Sequence, residues 1–375
     1  MAPGRASRPG ATLSGPMSPP DPAPRLRVDD FDYDLPPSAV AQVPVEPRDA
    51  ARLMVVDRSR SSPGNPSLEH RTFAELGALL QPGDLLVVND SRVIPARLPA
   101  TRPGGGAAEV LALRVLDEPN RWEALVRPSR RLAAGSRLVL QSGDTVEVGE
   151  RLDGGTRVVT FDRDPALVMA AAGDTPLPPY IRDHSTPAER YQTVYAQPPG
   201  SAAAPTAGLH FTERLLADLE AAGVRRAGVT LHVGLDTFRP LEGEFVDEHR
   251  IHREWYRVPP ETTEAIHRTR QAGGRVVAVG TTSLRVLETV ARRDDIEGWT
   301  NLYVTPPYEF RTVDGLITNF HLPRSSLLLL VTAFVQAGLP HSDAIGARDT
   351  LLGAYGAALA EGYRFFSFGD AMFIG

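Results

Sequence analysis

The chain contains no lysine: all 40 of its basic residues are arginine. That absence excludes Schiff-base catalysis on a lysine and a P-loop built around one. Every cationic contact must be made by a planar guanidinium, a shape suited to the fork of a carboxylate or phosphate. Cysteine is absent too. Disulfides, thiolate nucleophiles and cysteine-ligated zinc or iron–sulfur centres are therefore excluded. Long apolar runs are missing as well. The greasiest stretch, 327–335, is far shorter than a membrane span. The first 25 residues are rich in Pro, Gly, Ala and Ser and lack the apolar segment of a secretion signal. They read as a disordered tail, within which Met17 is an alternative start to Met1.

What is present suits a folded catalyst. With 375 residues the chain is too long for one ordinary core, and 42% hydrophobic residues suffice to bury two. The net charge of −6 is opposite in sign to that of a strongly basic nucleic-acid binder. It leaves room for RNA on a local positive face, the densest candidate being Arg127, Arg130 and Arg131.

From about 98 to 165 the segments are short and partly alternating, with turn residues at close intervals. That spacing predicts a small antiparallel barrel or sandwich. From about 205 onward, apolar strands alternate with helical patterns, which predicts an α/β unit with a largely parallel sheet. "RVVAVG" runs into "TTSLRVLETVARRD", and "GLITNFHL" runs into "SSLLLLVTAFVQAG". In each pair an apolar strand ends in polar side chains before a helix begins. Ligands of open α/β sheets sit at such strand ends.

The polar clusters supply the candidate residues. Thr281, Thr282 and Ser283 stand at the first turn of a helix, where hydroxyls and free amides suit a carboxylate or phosphate, although simple capping explains them as well. Asp314, Thr318, Asn319 and His321 crowd into eight positions before a greasy helix. His210 precedes a helix in "PTAGLHFT". His232 and Asp236, four apart, would share a face if the strand continues that far. Asn89, Asp90 and Arg92 form a polar knot, with Arg97 beyond. Asp370 follows Gly369 in the aromatic setting of Phe365, Phe366 and Phe368. His249 and His252 have a metal-like spacing but no third ligand, so no metal site is expected.

Taken in order, "DFDYDLP", "GDLLVVNDSRVIPARL", "PLPPYI", "ERYQTVYA", "PTAGLHFT", "VTLHVGL", "EHRIHREWY", "VVAVGTTSLRVLE", "DGLITNFHLPRSSLLLLV" and "YRFFSFGDAMFI" resemble the S-adenosylmethionine:tRNA ribosyltransferase-isomerases of queuosine biosynthesis. The resemblance runs from about residue 28 to the C-terminus. It implies an α/β core (26–75 and 170–375) carrying an inserted β-barrel (76–169). It implies transfer and isomerisation of the ribosyl part of S-adenosylmethionine onto 7-aminomethyl-7-deazaguanine in tRNA. The product is epoxyqueuosine, with adenine and methionine released. S-adenosylmethionine is then a co-substrate, with no permanently bound cofactor. The partner is the anticodon region of tRNA, the location cytoplasmic, and the chain a monomer or weak homodimer.

On that reading His210, His232 and His321 are candidate acids or bases, with Asp90 and Asp370 as carboxylate alternatives. Asn89, Arg92, Arg97, Thr281, Thr282, Ser283, Arg285, Asp314, Thr318, Asn319 and Phe366 form the expected binding set. Arg285 and the hydroxyls are assigned to the methionine carboxylate or the ribose, and Phe365 or Phe366 to the sulfonium or the target base. The sequence departs from the family pattern at Asp236, where glycine is usual, at Thr305-Pro306-Pro307, and at Ser91. Those departures keep two other readings open: a paralogue acting on a small-molecule acceptor, and a non-catalytic tRNA-binding relative.

Overall fold

The computed structural model describes residues 25–152, 155–234, 240–293 and 295–375. Asp236 and nearly all of the N-terminal tail lie outside the described residues. In chain order the strands are β1 (Arg52–Ser62), β2 (Asn65–Thr72), β3 (Leu85–Asn89), β4 (Arg92–Val93), β5 (Arg97–Thr101), β6 (Ala107–Val115), β7 (Arg121–Arg127), β8 (Ser136–Leu140), β9 (Thr145–Arg151), β10 (Arg157–Phe161), β11 (Pro199–Ser201), β12 (Arg225–Leu231), β13 (Glu254–Arg257), β14 (Val276–Val279), β15 (Glu297–Thr300), β16 (Gly315–Asn319) and β17 (Ala371–Ile374). The helices are α1 (Pro165–Ala172), α2 (Glu213–Ala221), α3 (Pro260–Gln271), α4 (Gly280–Arg293), α5 (Ser326–Gly338) and α6 (Ala344–Ala360).

Nine strands form one sheet in the order β15-β13-β12-β3-β14-β16-β17-β1-β2. Its centre, β12-β3-β14-β16, is parallel. Antiparallel pairs flank that centre on both sides, so the sheet as a whole is mixed. Strands β3, β14 and β16 are buried at every position because both of their faces are covered, whereas β12 is buried only over its last three residues. In β3, Leu85 and Val87 pack with α4, α5 and α6, while Leu86 and Val88 pack with α2 and the turn at Phe73–Ala78. The alternation of strand side chains thus divides the core into two layers.

The second unit is a closed antiparallel barrel, β10-β7-β6-β5-β8-β9, filled by Leu98, Val110, Val126, Leu138, Val146, Val159 and their neighbours. Closure leaves no unpaired strand edge. Helix α1, capped by Asp164, packs Val168 and Met169 into the same cluster. The barrel strands span Arg97–Phe161, so the expected insertion beginning at 76 opens too early. Leu85–Asn89 is buried on both faces and belongs to the middle of the large sheet. In "YRFFSFGDAMFI" the strand β17 covers Ala371–Ile374, while Phe365 makes an isolated bridge to Val40 and Phe366 adopts φ +69.

Glu288 on α4 holds the loop that leads into β16. Fully buried, its carboxylate accepts the backbone N–H groups of Arg311 (3.0 Å), Thr312 (2.9 Å) and Val313 (3.3 Å) and pairs with Arg292 at 2.6 Å. Removing the carboxylate strands a guanidinium and three amides. Glu288→Ala is expected to cost on the order of 3–5 kcal/mol, read as a lower urea midpoint, with Glu288→Gln costing less.

Candidate active site

The parallel strands direct their carboxyl ends to one edge of the sheet. There a cleft opens between the ends of β14 and β16 and the loops at Tyr180, Ala204–Ala207 and Phe366-Ser367. Gly280 joins β14 to α4 with φ +90, a turn that disfavours any side chain. The turn places Thr281 and Thr282 on the cleft wall. Among the described residues the buried Thr282 hydroxyl has no hydrogen-bond partner. The first-turn amides of α4 also lack intrahelical acceptors, so this wall offers donors to a ligand.

The end of β16 supplies the opposite wall. Asn319 Oδ1 accepts the Thr206 hydroxyl at 2.9 Å, and its Nδ2 donates to the Phe366 carbonyl at 3.0 Å. This contact helps hold Phe366 in a left-handed conformation that is uncommon for a bulky residue. The Phe366 ring meets the Tyr180 ring at 4.8 Å, and the Tyr180 hydroxyl lies 2.7 Å from Ser367 Oγ. An aromatic surface therefore faces the hydroxyl-rich wall, a pairing suited to a nucleoside or a sulfonium.

His321 is the imidazole that lines the cleft. Its Nε2 lies 2.9 Å from Thr318 Oγ1, its N–H donates to the Tyr355 hydroxyl, and its carbonyl accepts from Tyr33. Desolvation pushes its pKa down to about 3. Burial thus favours the neutral ring and weakens it as a base.

The other expected site residues take different positions. His210 is buried behind the cleft, stacked on Phe73, with its nitrogens 3.1 Å from the Ala207 carbonyl and 2.9 Å from that of Gly369. Burial lowers its pKa, and a neutral ring donates to only one of those carbonyls. Asp370 accepts the amides of Arg52 (2.9 Å) and Arg364 (2.7 Å) and serves the backbone. His232 packs on Trp255 beside the cleft residue Val233, with desolvation holding it at about 4. Its expected partner Asp236 is outside the described residues. Asn89 bonds both backbone groups of Leu231 and thereby joins β3 to β12. Asp90 accepts the Thr230 hydroxyl at 2.7 Å. Desolvation raises its pKa against that bond.

Arg92 pairs with Glu189 at 2.6 Å, and Arg97 donates to the Leu177 carbonyl at the root of the barrel. Ser283 turns back onto the Val279 carbonyl. Asp314 lies at the opposite end of β16, accepting from Val276 N and Arg270. Eight residues of sequence hide this separation, because an intervening strand carries the chain across the whole sheet. Arg285 faces a different cavity, described below. The structure therefore unites Thr281, Thr282, Thr318, Asn319, His321 and Phe366 and disperses the rest. Tyr180, Thr206 and Ser367 also line the cleft. They sit in the motifs "PLPPYI", "PTAGLHFT" and "YRFFSFGDAMFI", where ordinary loop chemistry concealed them. Among the described residues no group of three or more His, Cys, Asp or Glu is placed to hold a metal ion.

Known proteins share this architecture. The family model described as "Queuosine biosynthesis protein" matches residues 28–374. An S-adenosylmethionine:tRNA ribosyltransferase-isomerase from Thermotoga maritima is 48% identical over 93% of this chain and the whole of its own length. A protein of the same name from Symbiobacterium thermophilum is 50% identical over the same shares. One from Rubrobacter xylanophilus is 50% identical over 93% of this chain and 98% of its own. A crystal structure of the S-adenosylmethionine tRNA ribosyltransferase from T. maritima aligns with a TM-score of 0.52 and 40% identity, covering 92% of this chain and all of that one. With the match extending across both the mixed sheet and the barrel, the chain belongs to the queuosine biosynthesis protein family.

Proposed function

We propose that this chain is an S-adenosylmethionine:tRNA ribosyltransferase-isomerase. It moves the ribosyl group of S-adenosylmethionine onto 7-aminomethyl-7-deazaguanine in tRNA and rearranges it, releasing adenine and methionine. The observation that carries the reading is the meeting of a neutral imidazole, a hydroxyl-rich wall and an aromatic wall in one cleft. The family's curated members supply the reaction name.

The positive sulfur acidifies the neighbouring C5′ protons, and a general base near C5′ removes one. We assign His321 that role because its ring lines the cleft and Thr318 Oγ1, 2.9 Å from its Nε2, orients it. Phe366 and Tyr180 face the sulfonium and the nucleobase. Thr281, Thr282 and Thr206 hold ribose hydroxyls, while Asn319 keeps the two walls in register. His210, Asp370 and Asn89 act as scaffold. The tRNA anticodon arm approaches over the cleft. The exposed guanidinium groups of Arg127, Arg130 and Arg131 suit its phosphates. No helix among the described residues is long and apolar enough to cross a membrane. We place the enzyme in the cytoplasm, where tRNA is found, as a monomer or weak homodimer.

Incubation with ribosyl-labelled S-adenosylmethionine tests the reading. Label is expected in RNA, and free adenine in solution, only when tRNA bearing the deazaguanine is present. Adenine release without tRNA points to a small-molecule acceptor, and no release in either arm leaves a non-catalytic binder. Replacing His321 with alanine is expected to lower kcat by roughly 10²–10⁴-fold at little change in S-adenosylmethionine affinity. Unaltered turnover and affinity exclude its part.

Acid should also destabilise the fold through its neutral histidines. Folded His321 and His232 titrate at about 3 and about 4, against about 6.5 in an unfolded chain. Between those values only the unfolded state binds the proton, so stability is full above pH 6.5 and falls as the pH drops. The thermal midpoint is expected to decline from pH 6.5 toward 4, and less steeply in His232→Asn. Equal slopes in the two proteins contradict the assignment.

A further inference from the structure

A second cavity adjoins the cleft. The two share Leu327, and adjacent residues (Val233 and Gly234, Ser325 and Ser326) line one and the other. Helix α4 also serves both. Thr281 and Thr282 line the cleft, and Arg285, one turn further along the same helical face, lines the second cavity.

The polar end of this cavity is a buried ion pair. Arg285 is 5% exposed and Glu254 7% exposed, and Arg285 Nη1 donates to Glu254 Oε2. Arg285 Nε donates to the Leu302 carbonyl at 3.1 Å. Its Nη2 is buried and has no hydrogen-bond partner among the described residues. An unmatched guanidinium nitrogen at such depth costs free energy unless something outside the chain accepts from it. Glu254 Oε1 accepts the Gly234 amide at 3.0 Å, and a carboxylate oxygen has two lone pairs to offer. The rest of the wall is mixed: Ile251, Val304, Leu327 and Leu330 give an aliphatic stretch, and His249, His252 and Arg253 a polar one. The cavity therefore offers an anion acceptor, a cation acceptor and an aliphatic stretch. An α-amino acid with an unbranched apolar side chain matches the guanidinium, the carboxylate and the aliphatic stretch.

We propose that this cavity is an α-amino-acid subsite, which takes the methionyl end of S-adenosylmethionine and afterwards the leaving methionine. Arg285 Nη2 binds the α-carboxylate, Glu254 binds the α-ammonium, and the aliphatic wall receives the methylenes. The sulfonium then lies at the junction by Leu327, with the adenosyl group in the cleft. The proposal rests on the function proposed above, because it requires S-adenosylmethionine in the neighbouring cleft.

Two binding probes separate the subsite from the cleft without any turnover. S-adenosylhomocysteine carries the amino-acid end, and 5′-methylthioadenosine lacks it. By calorimetry the unaltered full-length protein is expected to bind S-adenosylhomocysteine at least about tenfold tighter than methylthioadenosine, or about 1.4 kcal/mol. The double variant Arg285→Gln/Glu254→Gln, which leaves no orphan charge, is expected to bring that ratio close to one while methylthioadenosine binding is retained. Ile251→Trp fills the cavity from its partly exposed side and should have the same effect, which covers the case of a misfolded double variant. A ratio that survives in folded variants overturns the subsite. So does an unaltered protein that binds both probes equally, a result that leaves the adenosyl cleft intact. Failure to bind either probe removes the S-adenosylmethionine reading itself.

Discussion

The Asn319 amide joins three parts of the chain that sequence holds far apart. One side of it accepts from Thr206, the other donates to the Phe366 carbonyl, and its backbone closes β16. Without those two bonds, a bulky residue at φ +69 would relax, and the aromatic wall would move away from the hydroxyl wall. A buried amide satisfied on both sides resists such movement, because losing either partner leaves a desolvated polar group. The depth of the cleft and the separation of its two walls follow from this arrangement.

Burial also decides the chemistry of the histidines. His210, His232 and His321 are all shifted toward the neutral form, and desolvation is the leading cause for each. Their roles differ through what surrounds them. His210 spends its nitrogens on backbone carbonyls, His232 packs against an indole, and His321 opens onto the cleft. One electrostatic effect thus leaves three neutral rings in three different surroundings. Buried carboxylates divide in the same way. Glu288, Asp370 and Glu254 each accept backbone amides beside an arginine, but of the three Glu254 lines an open cavity.

The fold was legible in outline because it depends on local patterns. Continuous apolar runs ending in polar residues announced the central parallel strands, and short alternating segments announced the barrel. The start of the barrel was misplaced because Leu85–Asn89 reads equally well as a buried strand of either unit. Only pairing with β12 and β14 assigns it to the large sheet.

The amino-acid sequence alone determined the chemical repertoire: guanidinium as the basic side chain, no thiols, and polar residues gathered at strand ends. Its ordered motifs also carried the family resemblance. Tertiary structure decided which of those polar residues face one another. Asp314 and His321 are neighbours in sequence yet stand at opposite ends of β16. Thr206, Asn319 and Phe366 are distant in sequence yet bonded. The cause is physical. A strand carries its two ends far apart, while the parallel arrangement brings the carboxyl ends of separate strands to a common edge, and no local pattern encodes that convergence.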